Sequence, residues 1–272
     1  MIVYPIGVGG LVTRVLEAGT GDRTVVLIHG VGARADRWRP TLEPLAAAGF
    51  HCYALDLPGH GFAEKRADFE YTVPAFAAFV ETFIANLKSE KAVLIGTSLG
   101  GHIAAHIACK APTKVSALVL AGSTGLFPIG AEACNRMADR MRDRSLDGTV
   151  AKLRNLFFDA RFATSELAEE DWRINNSPGT DAVFEKLESY FRTGLDSDAI
   201  EDRLSTLRHP VLLIWGEQEK SVPISIGRKA MAALPNATLV TIEGAAHAPQ
   251  IEQADKVNAE ILGFLRTVAA ST

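Results

Sequence analysis

A glycine-flanked serine directly after a run of apolar residues constrains this chain more than any other feature. Residues 96–101 (GTSLGG) follow residues 92–95 (AVLI), which have the composition of a buried strand, and they precede a helix-forming segment. A strand, a sharp turn and a helix in this order form a nucleophile elbow, in which the turn strains the serine backbone. The N-terminus of the helix then favours negative charge beside the hydroxyl. The sequence therefore predicts that Ser98 is a nucleophile.

Short apolar runs alternate with amphipathic helical stretches along most of the chain. Continuous apolar runs are typical of parallel strands that helices cover on both faces, so we predict an α/β fold. Residues 11–17 alternate instead, which predicts an antiparallel strand at the sheet edge. Apolar residues recur with helical spacing after Pro74, and further helices are predicted at 100–110 and 255–268. The predicted strands of the sheet are 24–29, 51–55, 92–96, 117–120, 211–215 and 238–242.

The alternation of strands and helices stops after Gly122, and strand-like sequence resumes at Pro210. Between them lie charged, helix-forming stretches such as 135–144 and 165–172, without a convincing strand. We therefore predict a core domain formed by residues 1–124 and 209–272, and a helical cap inserted at 125–208.

The composition limits the classes of partner. The chain has 28 Lys and Arg against 32 Asp and Glu and no basic stripe, so nucleic acid is not an expected partner. No apolar run approaches the ~20 residues that cross a bilayer, and the first residues lack a signal-peptide pattern. The three cysteines are too widely spaced for a zinc cluster or a disulfide framework. We expect a cytoplasmic protein with no membrane partner and no metal, and no pattern specifies its oligomeric state.

A second motif, residues 29–32 (HGVG), directly follows an apolar run. Acyl transfer passes through a tetrahedral oxyanion, which needs two donors that already point at it. The backbone N–H groups of Val31 and Leu99 are the predicted donors of this oxyanion hole. We interpret His29 as a brace for the loop rather than as a base.

The predicted base is His247, within residues 246–249 (AHAP) after the last predicted strand. A loop at the carboxyl end of a strand leaves its imidazole free to reach Ser98. Residues 216–223 (GEQEKSVP) follow another strand, and there Glu219 is the predicted carboxylate that orients the histidine, with Glu217 in reserve. The chain order of serine, acid and histidine is that of the α/β-hydrolase fold.

These motifs resemble the α/β-hydrolase fold family over nearly the whole chain, and residues 56–61 (DLPGHG) resemble another of its loops. The resemblance implies a mostly parallel, eight-stranded-type sheet flanked by helices, an inserted cap, and a serine mechanism without a metal or an organic cofactor. Related sequences usually carry aspartate at the position of Glu219. The other known place for the acid, residues 121–124 (AGST), has no carboxylate, which favours Glu219.

Serine at this position predicts an acyl-enzyme intermediate, which water then releases. The leading prediction is therefore hydrolysis of a small-molecule carboxylic ester or lactone. Large cap residues and a histidine on the elbow helix are candidates to line the substrate pocket. They are Leu126, Phe127, Met141, Phe158, Trp172 and His102.

Two other functions stay open. Residues 156–173 are similar to the cap of meta-cleavage product hydrolases, which break a carbon–carbon bond in aromatic ring-fission products and need a cation for the substrate carboxylate. Those enzymes usually place arginine just before the tryptophan and an aromatic soon after the histidine, where this chain has Asp171 and Ala248. The second alternative is a ligand-binding protein on the same scaffold, against which the intact set of serine, histidine and carboxylate argues.

Overall fold

Eight strands form one sheet in the computed structural model, which describes residues 1–87 and 89–270. In chain order they are β1 (Ile2–Val8), β2 (Leu11–Ala18), β3 (Arg23–Ile28), β4 (Phe50–Leu55), β5 (Ala92–Thr97), β6 (Val115–Ala121), β7 (Val211–Gly216) and β8 (Ala237–Ile242). Their order across the sheet is β1-β2-β4-β3-β5-β6-β7-β8. The pairs β1–β2 and β2–β4 are antiparallel, and every other neighbouring pair is parallel. The predicted α/β fold with a mostly parallel sheet is confirmed.

The first strand, β1, is not among the strands that the sequence predicts. It contains Pro5, and because proline has no N–H it is normally excluded from an interior strand. An edge strand tolerates it, and here Pro5 pairs with Arg14 of β2. The antiparallel strand predicted at 11–17 is therefore confirmed, but the prediction that it forms the sheet edge is wrong because β1 lies outside it.

Ten helices accompany the sheet within the described ranges. They are α1 (Arg39–Ala47), α2 (Val73–Asn86), α3 (Leu99–Lys110), α4 (Ala131–Arg142), α5 (Leu146–Leu156), α6 (Ser165–Asn175), α7 (Thr180–Thr193), α8 (Ile224–Ala233), α9 (Pro249–Glu252) and α10 (Ala254–Ala270). Helices α2, α3 and α10 confirm the three helices predicted from periodicity. None of the helices in the described part of the chain is both long and apolar enough to span a bilayer.

Successive residues of the central strand β3 contribute to two different hydrophobic clusters. Val26 and Ile28 pack in the cluster that contains the buried faces of α2 and α3. Val25 and Leu27 pack in the other cluster, with apolar residues of α1 and α10. Alternate side chains of a strand point to opposite faces, so both faces of the sheet are covered. The sheet is thereby a buried support for the loops at the carboxyl ends of its strands.

Helices α4 to α7 lie between β6 and β7 in the chain, together with two short 3-10 helices. The segment 125–208, termed here the helical insertion, contains no strand among its residues, all of which the structure describes. Within it, α4 packs against α7 and α5 packs against α6. Helices α1, α5, α7, α8 and α9 are not predicted from the sequence.

Candidate active site

Ser98 lies at the sharp turn between β5 and α3, with φ 52° and ψ −119°. Among the described residues, only Tyr71 and Ser98 combine a side chain with a positive φ. Such a conformation costs about 1–3 kcal/mol and persists only where the surroundings impose it. Here the Ser98 N–H donates to the carbonyl oxygen of Ala121 over 3.0 Å, which ties the turn to β6.

Glycines at two positions allow this turn to close. A Cβ atom on Gly96 would lie 2.3 Å from the carbonyl carbon of Gly100. A Cβ atom on Gly100 would lie 2.2 Å from the carbonyl oxygen of Ile28, at the end of β3. Any side chain at either position would push the elbow away from the sheet, so the glycines of the motif are required by close backbone approach.

The carboxylate of Glu219 and the imidazole of His247 are in direct contact. The Nδ1–H of His247 donates to Oε2 of Glu219 over 2.6 Å, and the carboxylate side chain is only 2% exposed. The other carboxylate oxygen, Oε1, accepts from the backbone N–H groups of Ser221 and Val222. Glu217 on the same loop is exposed, so Glu219 is the acid that holds the histidine.

Burial and the mutual charges shift the pKa of both partners. Burial alone lowers the pKa of His247, but the negative charge of Glu219 and its hydrogen bond outweigh burial and raise it above the ordinary value. Burial raises the pKa of Glu219, but the charge and hydrogen bond of His247 lower it overall. The carboxylate is therefore ionised, Nδ1 carries the proton, and Nε2 is left as the basic nitrogen.

The loop after β3 is held by His29. Its Nδ1 donates to the carbonyl oxygen of Gly30 over 2.7 Å, and its Nε2 accepts from the N–H of Leu57 over 2.9 Å. This is the bracing role expected from the sequence. Val31 lines the same cavity as Ser98, and Leu99 is the first residue of α3, where an N–H has no partner within the helix.

Ser98 and His247 open into one cavity between the sheet and the helical insertion. One face of α4 and one face of α5 form much of its wall, since the lining residues of each helix follow spacings of three and four. On α4 and just beyond it these residues are Met137, Arg140, Met141 and Arg144, and on α5 they are Thr149, Lys152, Leu153 and Leu156. Asn155 of α5 also lines the cavity, outside this spacing.

Of the six side chains predicted to line the substrate pocket, Met141 lines this cavity and five do not. Leu126 is buried in the cluster between the sheet and α2, and Phe127 packs against the same cluster. His102 is fully buried, and its Nε2 bonds with the carbonyl oxygen of Asp198 over 2.9 Å. These three predictions are corrected because Leu126 and His102 are buried in the interior, Phe127 is half-buried against it, and none of them lines the cavity.

The remaining two, Phe158 and Trp172, are corrected for a different reason. Phe158 is 53% exposed at the surface, whereas its neighbour Phe157 is buried in a small cluster with Leu153. Asp171 lines the cavity, and the next residue of a helix points about 100° away, so Trp172 faces elsewhere. Helical spacing alone does not reveal which face of a helix meets a cavity.

The structure reveals cationic residues that the sequence interpretation missed. Arg37, Arg140, Arg144 and Lys152 line the cavity, together with one carboxylate, that of Asp171. Arg37 and the buried Arg34 both form ion pairs with Asp171, which joins α6 to the short helix before α1. The spacing of residues 137, 140, 141 and 144 is the signal that could have placed Arg140 beside Met141.

A buried carboxylate on α9 connects the histidine loop to the insertion. Oε2 of Glu252 accepts from the N–H of Ala246 over 2.7 Å. Its Oε1 accepts from the N–H groups of Phe158 and Asp159 over 2.6 and 3.0 Å. The carboxylate thus satisfies three backbone donors from two segments and fixes the loop that carries His247.

Comparison with known proteins identifies relatives of the whole chain. A family model described as alpha/beta hydrolase fold matches residues 23–254. The chain is 32% identical to the dihydrolipoyllysine-residue acetyltransferase component of the acetoin cleaving system of Cupriavidus necator. That match covers 93% of this chain but 66% of the relative, so the chain spans just under two thirds of that relative's length.

Two further matches cover nearly all of both proteins. The chain is 30% identical to a 2-hydroxy-6-oxononadienedioate/2-hydroxy-6-oxononatrienedioate hydrolase of Burkholderia vietnamiensis, over 92% of this chain and 89% of the relative. The structure of this chain is similar to that of a meta-cleavage product hydrolase from Pseudomonas fluorescens, with a TM-score of 0.86 and 26% identity. That match covers 97% of each chain.

Proposed function

This chain belongs to the α/β-hydrolase fold family, and we propose that it hydrolyses a carboxylic ester or a lactone through an acyl-enzyme formed on Ser98. The observation that carries the proposal is the 2.6 Å hydrogen bond between His247 and Glu219 at the cavity that Ser98 also lines. A serine, an oriented histidine and a buried carboxylate are the parts of a nucleophilic acyl-transfer site.

In the first half-reaction, Oγ of Ser98 attacks the acyl carbon while Nε2 of His247 takes the hydroxyl proton. The resulting imidazolium is stabilised by the Glu219 carboxylate, which keeps its negative charge. The oxyanion is proposed to accept hydrogen bonds from the N–H groups of Val31 and Leu99, at the start of α3. Collapse of the tetrahedral species breaks the ester bond, and the imidazolium gives its proton to the departing alkoxide.

In the second half-reaction, water takes the place of the alcohol. His247 removes a proton from the water as it attacks the acyl carbon, and the proton then passes to Oγ of Ser98 when the acid departs. No step requires a metal or an organic cofactor, because the charge that develops on oxygen is held by backbone donors.

A second candidate is cleavage of a carbon–carbon bond in a ring-fission dienone. Its support is that the Burkholderia relative and the Pseudomonas structure bear the names of such hydrolases. Two features of this chain weigh against it. Asp171 stands just before the tryptophan, already paired with Arg34 and Arg37, and Ala248 follows the histidine. We therefore place ester or lactone hydrolysis first.

The two candidates differ in the substrate that the protein consumes. We would assay the purified protein and its Ser98→Ala variant against p-nitrophenyl esters of increasing acyl length, acyl lactones and a ring-fission dienone. Ester or lactone turnover that is lost in Ser98→Ala supports the proposal. Dienone cleavage without ester turnover transfers the assignment to the second candidate.

A fluorophosphonate that labels activated serines provides a measurement independent of the substrate. The wild type is expected to be labelled stoichiometrically, and Ser98→Ala is expected to remain unlabelled. An unlabelled wild type that also turns over no ester, lactone or dienone would refute a serine hydrolase and favour a binding protein on this scaffold.

A further inference from the structure

The cavity contains one arginine whose charge no protein group neutralises. Arg140 lies on the face of α4 that lines the cavity, between Met137 and Met141. Across residues 1–87 and 89–270, no carboxylate forms an ion pair with it and no acceptor forms a hydrogen bond with its guanidinium. Its positive charge is nevertheless close enough to the base to lower the pKa of His247 in part, against the larger effect of Glu219.

The other cations of the cavity each have a protein partner. Arg37 forms an ion pair with Asp171. Arg144 forms an ion pair with Asp181 and a hydrogen bond with Thr180.

The fourth cation, Lys152, is also engaged, since its ammonium donates to the carbonyl oxygen of Asp143 over 2.5 Å. Asp171 is the carboxylate that lines the cavity, and its negative charge is already shared between Arg34 and Arg37. The region of the cavity around Arg140 therefore carries net positive charge.

A partly enclosed cavity makes an unpaired guanidinium selective for anions. Water that enters with a ligand screens the charge less than bulk solvent does, so an anion gains more there than at an open surface. The planar, five-donor fork of arginine matches the two oxygens of a carboxylate, with which it forms two parallel hydrogen bonds. The methionines at 137 and 141 provide apolar surface for a carbon chain beside the charged group.

We propose that Arg140 forms an anion subsite that binds a carboxylate of the substrate, so that the preferred ester or lactone is an acidic one. The subsite deepens the proposed function and rests on it for turnover, although binding of the carboxylate can be measured without turnover. The arginine binds and orients the substrate, and takes no part in bond making or breaking.

The test compares esters that differ in one charge. We would assay the wild type, Arg140→Gln and Arg140→Lys with two sets of substrates. One set contains p-nitrophenyl hemiesters of glutarate, adipate and pimelate, and the other contains neutral acyl esters of equal length. Acetate esters of hydroxybenzoates place the carboxylate on the alcohol instead. The measured quantity is the preference, defined as kcat/KM for the carboxylated ester divided by kcat/KM for the neutral ester.

We expect the wild type to prefer the carboxylated ester in one of the two series. Arg140→Gln should reduce that preference by about tenfold or more, chiefly through KM, because a charge-assisted hydrogen bond is lost. Arg140→Lys keeps the charge but not the planar fork of donors, so its preference should lie between those of the wild type and Arg140→Gln. The control is Arg136→Gln on the same helix, which removes an exposed ion pair between Arg136 and Glu132. This variant should keep the wild-type preference.

Two negative results separate the subsite from the proposed function. If neutral esters are turned over in a reaction that depends on Ser98, the proposed function stands. A preference near one, or a preference that Arg140→Gln leaves intact, then overturns the subsite alone. If no ester or lactone is turned over, the proposed function fails, and calorimetric titration of Ser98→Ala with adipate and dimethyl adipate decides the subsite. The subsite is supported if Ser98→Ala binds adipate more tightly than dimethyl adipate and Ser98→Ala/Arg140→Gln binds adipate about tenfold more weakly. It is overturned if adipate does not bind, or if its binding equals that of dimethyl adipate or is equal in the two variants.

Discussion

The backbone N–H of His247 donates to the carbonyl oxygen of Leu156, the last residue of α5, over 3.0 Å. The histidine loop is therefore hydrogen-bonded to the helical insertion as well as supported by the sheet. Ala248 extends this contact, because it packs in a cluster with Leu153 and Phe157 of the insertion. The position of the proposed base depends on both parts of the molecule.

Glu252→Gln tests this dependence. An amide has one acceptor oxygen, whereas the carboxylate accepts from Ala246, Phe158 and Asp159, so at least one buried N–H loses its partner. We expect kcat for an ester substrate to fall about tenfold with little change in KM, and stability to fall by about 1–3 kcal/mol. The control is Glu260→Gln, an exposed residue of α10, and equal effects of the two variants would refute the positioning role.

The hydrogen bond between Glu219 and His247 predicts the pH dependence of activity. Nε2 must be unprotonated to act as a base, so kcat/KM should rise with pH through the pKa of His247, which lies above its ordinary value of about 6.5. Glu219→Gln removes the charge that raises this pKa. The acid limb should therefore move to lower pH, and the plateau should fall roughly a hundredfold or more.

Glu217→Gln is the matched control for the pH experiment, because Glu217 lies on the same loop but is exposed. Its pH profile should coincide with that of the wild type. An acid limb that stays in place in Glu219→Gln would show that the limb does not report the titration of His247.

The ion pairs of Asp171 predict a large loss of stability on one substitution. Asp171→Asn leaves Arg37 without a carboxylate partner, and breaking a buried pair costs about 3 kcal/mol. The buried Arg34 loses this contact as well, although two other carboxylates still pair with it. Urea denaturation monitored by fluorescence measures the change. Glu169→Gln on the same helix removes an exposed pair with Arg173 and should change stability by less than about 0.5 kcal/mol. Similar losses in both variants would contradict the assignment of a buried ion pair.

The strained turn predicts that glycine is more stable than alanine at position 98, although both substitutions remove the proposed nucleophile. Glycine adopts a positive φ without the steric cost that serine pays at φ 52°, although it loses more entropy on folding. We expect Ser98→Gly to be more stable than Ser98→Ala by about 1 kcal/mol, as measured by thermal and urea denaturation. Ser98→Ala as the more stable variant would show that the turn is not strained.

The sequence was sufficient for strands β2 to β8 and for the elbow because those elements depend on local patterns. Mostly apolar runs specify β3 to β8, and the spacing of the glycines around Ser98 follows from close backbone approach. The pairing of Glu219 with His247 was also predictable, because parallel strands place their carboxyl-terminal loops at the same edge. Strand β1 was not predicted because it contains Pro5. Proline fits a strand at the edge of a sheet, and only the assembled sheet shows which strand is at the edge.

The wall of the cavity was not predictable to the same extent. Met141 was identified by its size, but Arg140 beside it resembled an ordinary exposed charge on an amphipathic helix. Its position follows from how α4 is rotated when it packs against α7, and this is a tertiary property. Large apolar residues are needed equally for packing, which is why Leu126 lies in the core and Phe127 packs against it.

The strained turn at Ser98 has an evolutionary consequence. On the proposed function, selection for turnover keeps a side chain at a backbone position that favours glycine, because strained residues cluster at functional sites. In a duplicated gene released from that selection, replacement of this serine by glycine would remove the proposed nucleophile and relieve the strain of the turn in one step. Loss of the proposed activity would then be energetically favoured, and its recovery would restore the strain of the turn.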